Sequence, residues 1–260
     1  MKIVFTKYHG AGNDFILVDN KKEIYNLKTS QVEKLCDRHF GIGADGLILL
    51  QESEKYDFSM RYFNANGIEA SLCGNGGRCI VSFARYLRII EEETKFWAVD
   101  GEHTANIISS LNNVDSIRLK MNDVDNGRIS GSDYIFYTGS PHFVRIVDSV
   151  ENIDTVKEGR KIRYNDQFKD EGINVNFISL EKEFIKIRTY ERGVENETLA
   201  CGTGAVASAL AASVHNYKSP VKLKAKGGDL TVSFKVKSKR FYNIWLEGPA
   251  TFVFSGEINI

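Results

Sequence analysis

Two cysteines of this chain sit in matching surroundings. Leu72-Cys73-Gly74-Asn75-Gly76 and Ala200-Cys201-Gly202-Thr203-Gly204 share the pattern Cys-Gly-X-Gly, about half of the 260-residue chain apart. A helical pattern follows each. From about Gly76 to Leu87, Ile80, Phe83, Ala84 and Leu87 recur at helical spacing, and from about Thr203 to Val214 the chain is small or apolar almost all round. Each thiol thus lies where a glycine turn feeds a helix N-terminus. The first backbone N–H groups there lack partners, and the helix dipole presents about half a positive charge. Such a place binds an anion, glycine allows close approach to the backbone, and thiolate is favoured over thiol. An ordinary thiol has a pKa near 8.5, so only a few per cent is ionised at neutral pH. A helix terminus contributes at most about 2 kcal/mol, roughly one and a half pKa units, and burial opposes it. The thiol is left poised, which suits an acid–base catalyst.

Two such thiols facing one cavity form a coupled pair, because a first negative charge disfavours a second. One base and one acid on opposite sides of a carbon are what inversion of a stereocentre requires. An α-proton beside a carboxylate is weakly acidic, so the carboxylate needs strong hydrogen bonds as charge builds, and two helix N-termini would supply them. Simpler readings stand beside this one. A cysteine before a glycine turn fits a buried structural residue, and Cys-Gly-X-Gly fits a phosphate cradle for a nucleotide or pyridoxal phosphate. The duplication favours the catalytic pair, and spacing alone goes no further. His142, in Gly139-Ser140-Pro141-His142, fits a loop histidine; Glu191-Arg192 fits a solvated charge pair after the strand Ile185 to Tyr190; Asn13, Asn64 and Asn174 fit turns at strand ends.

The elements that must position these residues are mostly strands. Lys2 to Phe5, Gly46 to Leu50, Ser59 to Phe63 and Ile117 to Lys120 are short, apolar or β-branched, and bounded by turn residues. Val221 to Lys226 alternates, and its lysines with those of Lys235 to Arg240 read as a solvated face. Ser30-Gln31-Val32-Glu33 has the form of a capping box, followed by Val32, Leu35 and Cys36 on one helix face, so Cys36 reads as a core residue. A helix apolar on every side, such as the one after Cys201, must be enclosed by a curled sheet. The weak repeat predicts an α+β protein of two pseudo-symmetric halves, each a mixed, mostly antiparallel curled sheet or barrel around a central helix. The halves are expected over residues 1–120, together with the last strand (about 249–260), and 121–248, joined near Lys120 to Asn126, with the active site in the cleft between them.

Composition narrows the class of function. The chain is 42% hydrophobic, 11% aromatic and 26% charged, as in a folded protein. With 34 basic and 34 acidic residues it has no net charge, and so no long-range field for nucleic acid or an anionic membrane. The N-terminus lacks a signal-peptide pattern, and the small-apolar run Leu199 to Val214 falls short of the roughly 18 residues that span a bilayer. Four cysteines without CxxC spacing predict no disulfide framework and a cytoplasmic location.

Taken in order, several segments together resemble the diaminopimelate epimerase family. They are His9-Gly10-Ala11-Gly12-Asn13-Asp14-Phe15, Gly41-Ile42-Gly43-Ala44-Asp45-Gly46, Phe63-Asn64-Ala65-Asn66-Gly67, Cys73-Gly74-Asn75-Gly76-Gly77-Arg78-Cys79, Asn174-Val175-Asn176-Phe177, Tyr190-Glu191-Arg192-Gly193 and Ala200-Cys201-Gly202-Thr203-Gly204. The resemblance implies epimerisation of LL-diaminopimelate to the meso form, in lysine and peptidoglycan precursor synthesis, without pyridoxal phosphate, other cofactor or metal. It implies Cys73 and Cys201 as the proton-transfer pair, and His142 and Glu191 as residues that adjust their pKa values. Gly74, Asn75, Gly202 and Thr203 would hold the reacting carboxylate, and Asn13, Asn64, Asn174, Glu191 and Arg192 the other polar groups of the substrate. Ser140 stands where the family usually has asparagine and is retained as a substrate contact. Cys79, inside the helix, is expected to be structural. The resemblance also suggests a homodimer with a small-molecule substrate and neither nucleic acid nor membrane as partner. The rival readings are a related proline or hydroxyproline racemase and a non-catalytic amino acid binding protein of the same fold.

Overall fold

Short apolar segments between glycine turns make strands the commonest element of this chain. The structure is a computed structural model. It describes every residue other than Asn126 and Gly131, and every side chain of the rest except those of Ile129 and Ser130. Asn126, the end of the expected join, therefore lies outside the described residues.

The elements run β1 Lys2–Gly10, β2 Asn13–Asp19, α1 Thr29–Cys36, β3 Gly46–Gln51, β4 Phe58–Asn64, β5 Glu69–Ala70, α2 Gly74–Tyr86, β6 Glu93–Ala98, β7 Gly101–Leu111 and β8 Val114–Lys120. They continue as β9 Arg128–Ser130, β10 Asp133–Tyr137, β11 Pro141–Ile146, α3 Thr155–Arg163, β12 Asn174–Leu180, β13 Ile185–Glu191, β14 Asn196–Thr198, α4 Gly202–Ser213, β15 Val221–Ala225, β16 Gly228–Lys237 and β17 Arg240–Asn259. The chain divides into two compact units, Met1–Leu119 with Pro249–Ile260, and Lys120–Gly248.

In the first unit β1 and β2 form a hairpin, β2 runs parallel to β3, β3 antiparallel to β4, β4 parallel to β6, and β6, β7 and β8 follow antiparallel. β17 pairs with both β1 and β8, which closes an eight-stranded sheet. α2 lies against β1, β2, β3, β4 and β7. On the other sheet face, Ile16, Val18, Leu47 and Leu49 meet Val32, Leu35 and Cys36 of α1. Strands covered on both faces carry continuous apolar runs, and Phe15 to Val18 and Leu47 to Leu50 are buried throughout.

The second unit repeats the scheme. β10 pairs with β11, β11 runs parallel to β12, β12 antiparallel to β13, β13 parallel to β15, and β15, β16 and β17 follow antiparallel. α4 lies against β10, β11, β12, β13, β15 and β16, and all but Thr203 and Ser213 of its residues are buried. The predicted α+β class, with mixed sheets around two helices, is what the structure shows. Lys222 and Lys224 of β15 are exposed, as the alternation predicts. One expectation is corrected: α1 is capped by Lys28, and Ser30 lies inside its first turn. The Gln31 side chain reaches back to accept from the Lys28 backbone N–H at 2.9 Å, which fixes the start of the helix there. Among the described residues no helix is long and apolar enough to cross a membrane.

Candidate active site

Cys73 is the N-cap of α2, with extended backbone (φ −86°, ψ 128°), and Gly74 and Asn75 open the helix. The helix can sit this close to the sheet because Gly10 has no side chain: a Cβ there would lie 2.9 Å from the Asn75 carbonyl oxygen. The β1–β2 turn, Ala11-Gly12, has both residues at positive φ (51° and 89°), as a two-residue hairpin of right-twisted strands requires. That turn delivers Asn13, whose Oδ1 lies 3.6 Å from Cys73 Sγ and 3.4 Å from Asn75 Nδ2. Asn64 ends β4 at the same end of the sheet and accepts from the Tyr62 hydroxyl at 2.8 Å.

Behind Asn13 stands a charged group that the sequence reading did not isolate. Asn13 Nδ2 donates to Asp45 at 2.5 Å; Arg38 bridges Asp45 (2.8 Å) and Asp14 (2.7 Å); and Lys7 pairs with Asp14 at 2.6 Å. Burial alone would raise the Asp14 pKa, but hydrogen bonds from Arg38 and Lys7 outweigh it and hold the carboxyl at about 2. The available signal was positional: Asp14 and Asp45 occupy adjacent beginnings of two parallel strands. Arg78, wholly buried, donates to the neutral oxygens of Gly74 (3.1 Å), Asn75 (2.8 Å) and Pro249 (3.3 Å), and burial lowers its pKa.

Cys201 is the N-cap of α4 (φ −116°, ψ 116°), with Gly202 and Thr203 opening the helix. Its Sγ lies 3.5 Å from Thr203 Oγ1, and the Thr138 hydroxyl donates to the Thr203 carbonyl at 2.8 Å. His142 Nε2 is 2.8 Å from Thr203 Oγ1 and 3.0 Å from Ser140 Oγ. The imidazole is fully buried; burial and then the Arg192 charge push its pKa down to about 3. It is neutral at physiological pH. Asn174 Nδ2 donates to Ser140 Oγ and to the Pro141 carbonyl, both at 3.1 Å, and its Oδ1 accepts from the Arg192 backbone N–H at 2.9 Å. The Arg192 guanidinium donates to the Glu171 carbonyl at 2.8 Å, and the Glu191 carboxylate accepts from the Thr198 hydroxyl at 2.5 Å.

The structure therefore assembles Asn13, Cys73 and Asn75 in the first unit, and Ser140, His142, Asn174, Cys201 and Thr203 in the second. The other two thiols are different. Burial pushes Cys36 up to about 12 and Cys79 further still, and both are core residues as expected.

Comparison with known proteins identifies the family. A family model described as diaminopimelate epimerase matches residues 5–121 and 134–253. A diaminopimelate epimerase of Flavobacterium psychrophilum is 47% identical over 97% of this chain and 98% of that protein. One of Chlorobaculum tepidum is 42% identical over 96% of this chain and 99% of its own length. Among solved structures, a phenazine biosynthesis protein of the PhzF family from Bacillus anthracis matches with a TM-score of 0.74 at 18% identity, covering 100% of both chains. A hydroxyproline epimerase from Agrobacterium vitis matches with a TM-score of 0.70 at 13% identity, covering 99% of this chain and 92% of the other. At those identities the two structures share the fold alone with this chain.

Proposed function

From the premise that this chain belongs to the diaminopimelate epimerase family, a family of amino acid isomerases, we propose that it interconverts LL- and meso-diaminopimelate with Cys73 and Cys201 as a two-base pair. The observation that carries the proposal is the repetition of one device. In each unit a cysteine is the N-cap of the helix that packs on the sheet, and a polar side chain lies within 3.6 Å of its sulfur.

The chemistry balances without a cofactor. One cysteine, as thiolate, takes the α-proton and becomes a thiol; the carbon–hydrogen bond breaks and its electron pair passes into the substrate carboxylate. The other cysteine, as thiol, returns a proton to the opposite face and becomes a thiolate. The backbone N–H groups of Gly74, Asn75, Gly202 and Thr203 are the proposed partners of the reacting carboxylate, whose charge rises in the transition state. Asn13, Asn64, Asn174, Glu191 and Arg192 are proposed to anchor the other ammonium and carboxylate groups, and Ser140 to contact the substrate through its hydroxyl. His142 is proposed to act on the nearby Cys201, and Glu191 to act as a second pKa-adjusting group. A homodimer, a cytoplasmic location and a place in lysine and peptidoglycan precursor synthesis complete the reading.

The test is incubation of reduced protein with LL-diaminopimelate in deuterated water, followed by chiral separation and NMR. Meso product with deuterium at one α-carbon is expected, and Cys73→Ala and Cys201→Ala are each expected to lower kcat by at least about a hundred-fold, the lower end for loss of a general acid or base. Folded, reduced protein that gives neither product nor exchange overturns the substrate, and proline and its hydroxylated forms become the next candidates. Full activity in either cysteine variant overturns the mechanism.

A further inference from the structure

The two units offer an internal control. In the second, His142 lies in register with Asn174, and Asn176, two residues on, lies opposite Thr189. In the first, Phe15 lies in register with Gly46, and Ile48, two residues on, lies opposite Tyr62. The same three lattice points thus carry Phe15, Ile48 and Tyr62 in one unit and His142, Asn176 and Thr189 in the other. Packing does not account for the difference, because each set underlies the helix glycine three residues after the cysteine. A Cβ on Gly76 would meet Ile48 Cδ1 at 3.1 Å and Phe15 at 3.5 Å, and one on Gly204 would meet Asn176 Oδ1 at 2.5 Å. Polar residues in a place that an apolar set fills equally well need a reason beyond the fold.

The hydrogen bonds of that ladder have only one consistent direction. Asn176 is fully buried, and its Nδ2 lies 2.9 Å from the Phe143 carbonyl oxygen. A carbonyl only accepts, so the amide nitrogen must face it. The Thr189 hydroxyl donates to the amide oxygen at 2.9 Å. The second amide hydrogen then points at His142 Nδ1, 3.1 Å away, which must accept and carry no proton. A neutral imidazole with a bare Nδ1 carries its proton on Nε2. Nε2–H therefore donates to Thr203 Oγ1 at 2.8 Å, and the single proton of the threonine hydroxyl is left for the Cys201 sulfur at 3.5 Å. Ser140, which accepts from Asn174, also lies 3.0 Å from Nε2 and 3.4 Å from Thr203 Oγ1, and it does not reverse this order.

We propose that Asn176, held by Thr189 and the Phe143 carbonyl, is a positioning residue that fixes His142 as the Nε2–H tautomer and so makes the Thr203 hydroxyl a hydrogen-bond donor to the Cys201 sulfur. A donor aimed at sulfur stabilises thiolate. Among the described residues the charge that acts on His142 is that of Arg192, just beyond β13, and Glu191 ends that strand; Ser140, Asn174, Asn176, Thr189 and Thr203 are uncharged. The proposal rests on the reading of Cys201 as an acid–base group, and its readouts need no substrate.

The full chain, labelled with 15N-histidine, is followed by NMR across pH 5 to 8, with His142→Gln identifying the resonance among five histidines. A neutral ring protonated at Nε2 throughout is expected; a proton on Nδ1 overturns the proposal. In Asn176→Asp a carboxylate oxygen faces Nδ1, so the proton is expected to move there and Thr203 to turn its own proton toward Nε2. The second readout is the pH profile of iodoacetamide alkylation at Cys201, followed by peptide mapping. Removing one donor to a charged acceptor is worth about a ten-fold shift, so Thr203→Val is expected to raise the apparent thiol pKa by about one unit and Thr203→Ser to restore it. Asn176→Asp is expected to raise it likewise. An unchanged profile in Thr203→Val overturns the proposal, and where Asn176→Asp does not fold, the wild-type tautomer and the threonine pair decide. Loss of epimerase activity with these shifts intact would count against the proposed function alone.

Discussion

At the scale of single residues, the first unit invests its charge behind Asn13, in a group whose state depends on acid. Asp14, held at about 2 in the folded protein, meets Lys7, only 7% exposed, and Arg38. The unfolded carboxyl titrates near 3.9, so the folded pKa is depressed; its stabilisation is full above about pH 4 and is lost as pH falls toward 2. Thermal unfolding followed by circular dichroism is therefore expected to show a wild-type Tm that drops steeply between pH 4 and 2. Asp14→Asn should drop less over that window and lose about 3 kcal/mol at neutral pH, where Lys7 is left buried without its carboxylate. Parallel curves for the two proteins would show that Asp14 is not the titrating group. His142 works in the same direction over a higher window: its pKa is lowered from an ordinary value near 6.5 to about 3 by burial, so the stability of the fold with a neutral ring is lost as pH falls from about 6.5 toward 3.

At the scale of elements, the two helices are seated by glycines that face different neighbours, and alanine at each separates the cases. The Cβ of Gly76→Ala would meet the free end of the Ile48 side chain at 3.1 Å, a group that can turn aside. The gain of about 1 kcal/mol in helix propensity offsets that contact, so urea unfolding is expected to show little change. The Cβ of Gly204→Ala would meet Asn176 Oδ1 at 2.5 Å, in an amide already bonded to Thr189, Phe143 and His142. Overpacking a group that cannot move costs about 1–3 kcal/mol, and the ladder beneath Cys201 should shift with it. Equal urea midpoints for both variants would contradict this seating. The contrast also shows what the sequence discloses. The helices after Cys73 and Cys201 are legible because glycine turns precede them and their apolar pattern is strong. The strand Asn13–Asp19, like Gly46–Gln51, lacks alternation because it is buried on both faces, so only its apolar run and the turn residues around it mark it in the sequence. The pair Asn174 and Asn176 marks one strand face, but that Asn176 turns toward His142 rather than solvent depends on the register of β11 with β12, which no local pattern encodes.

At the scale of the molecule, the two units place very different demands on the chain. The second, Lys120–Gly248, is one continuous stretch, whereas the first is completed only by Pro249–Ile260. Lys2 pairs with Asn259 and His9 with Thr251, so β1 gains its second neighbour from the opposite end of the sequence. The entropy of closing a loop rises with its length, and folds dominated by distant contacts form slowly. The repeated topology removes most other differences between the units, since both use the same order of parallel and antiparallel pairings. In refolding followed by pulsed hydrogen exchange and mass spectrometry, peptides covering β11, β12 and β13 are therefore expected to gain protection before those covering β1. Lengthening the chain between β16 and the last residues of β17 is not needed to reveal this; deletion of residues 249–260 does so more directly. It leaves the second unit's sequence intact and strips β1 of one partner, so protection should persist in β11 to β13 and fall in β1 and β2. Simultaneous loss in both regions would mean that the two units fold as a single cooperative body, in which case the repeat records only the fold's symmetry and not the order of its assembly.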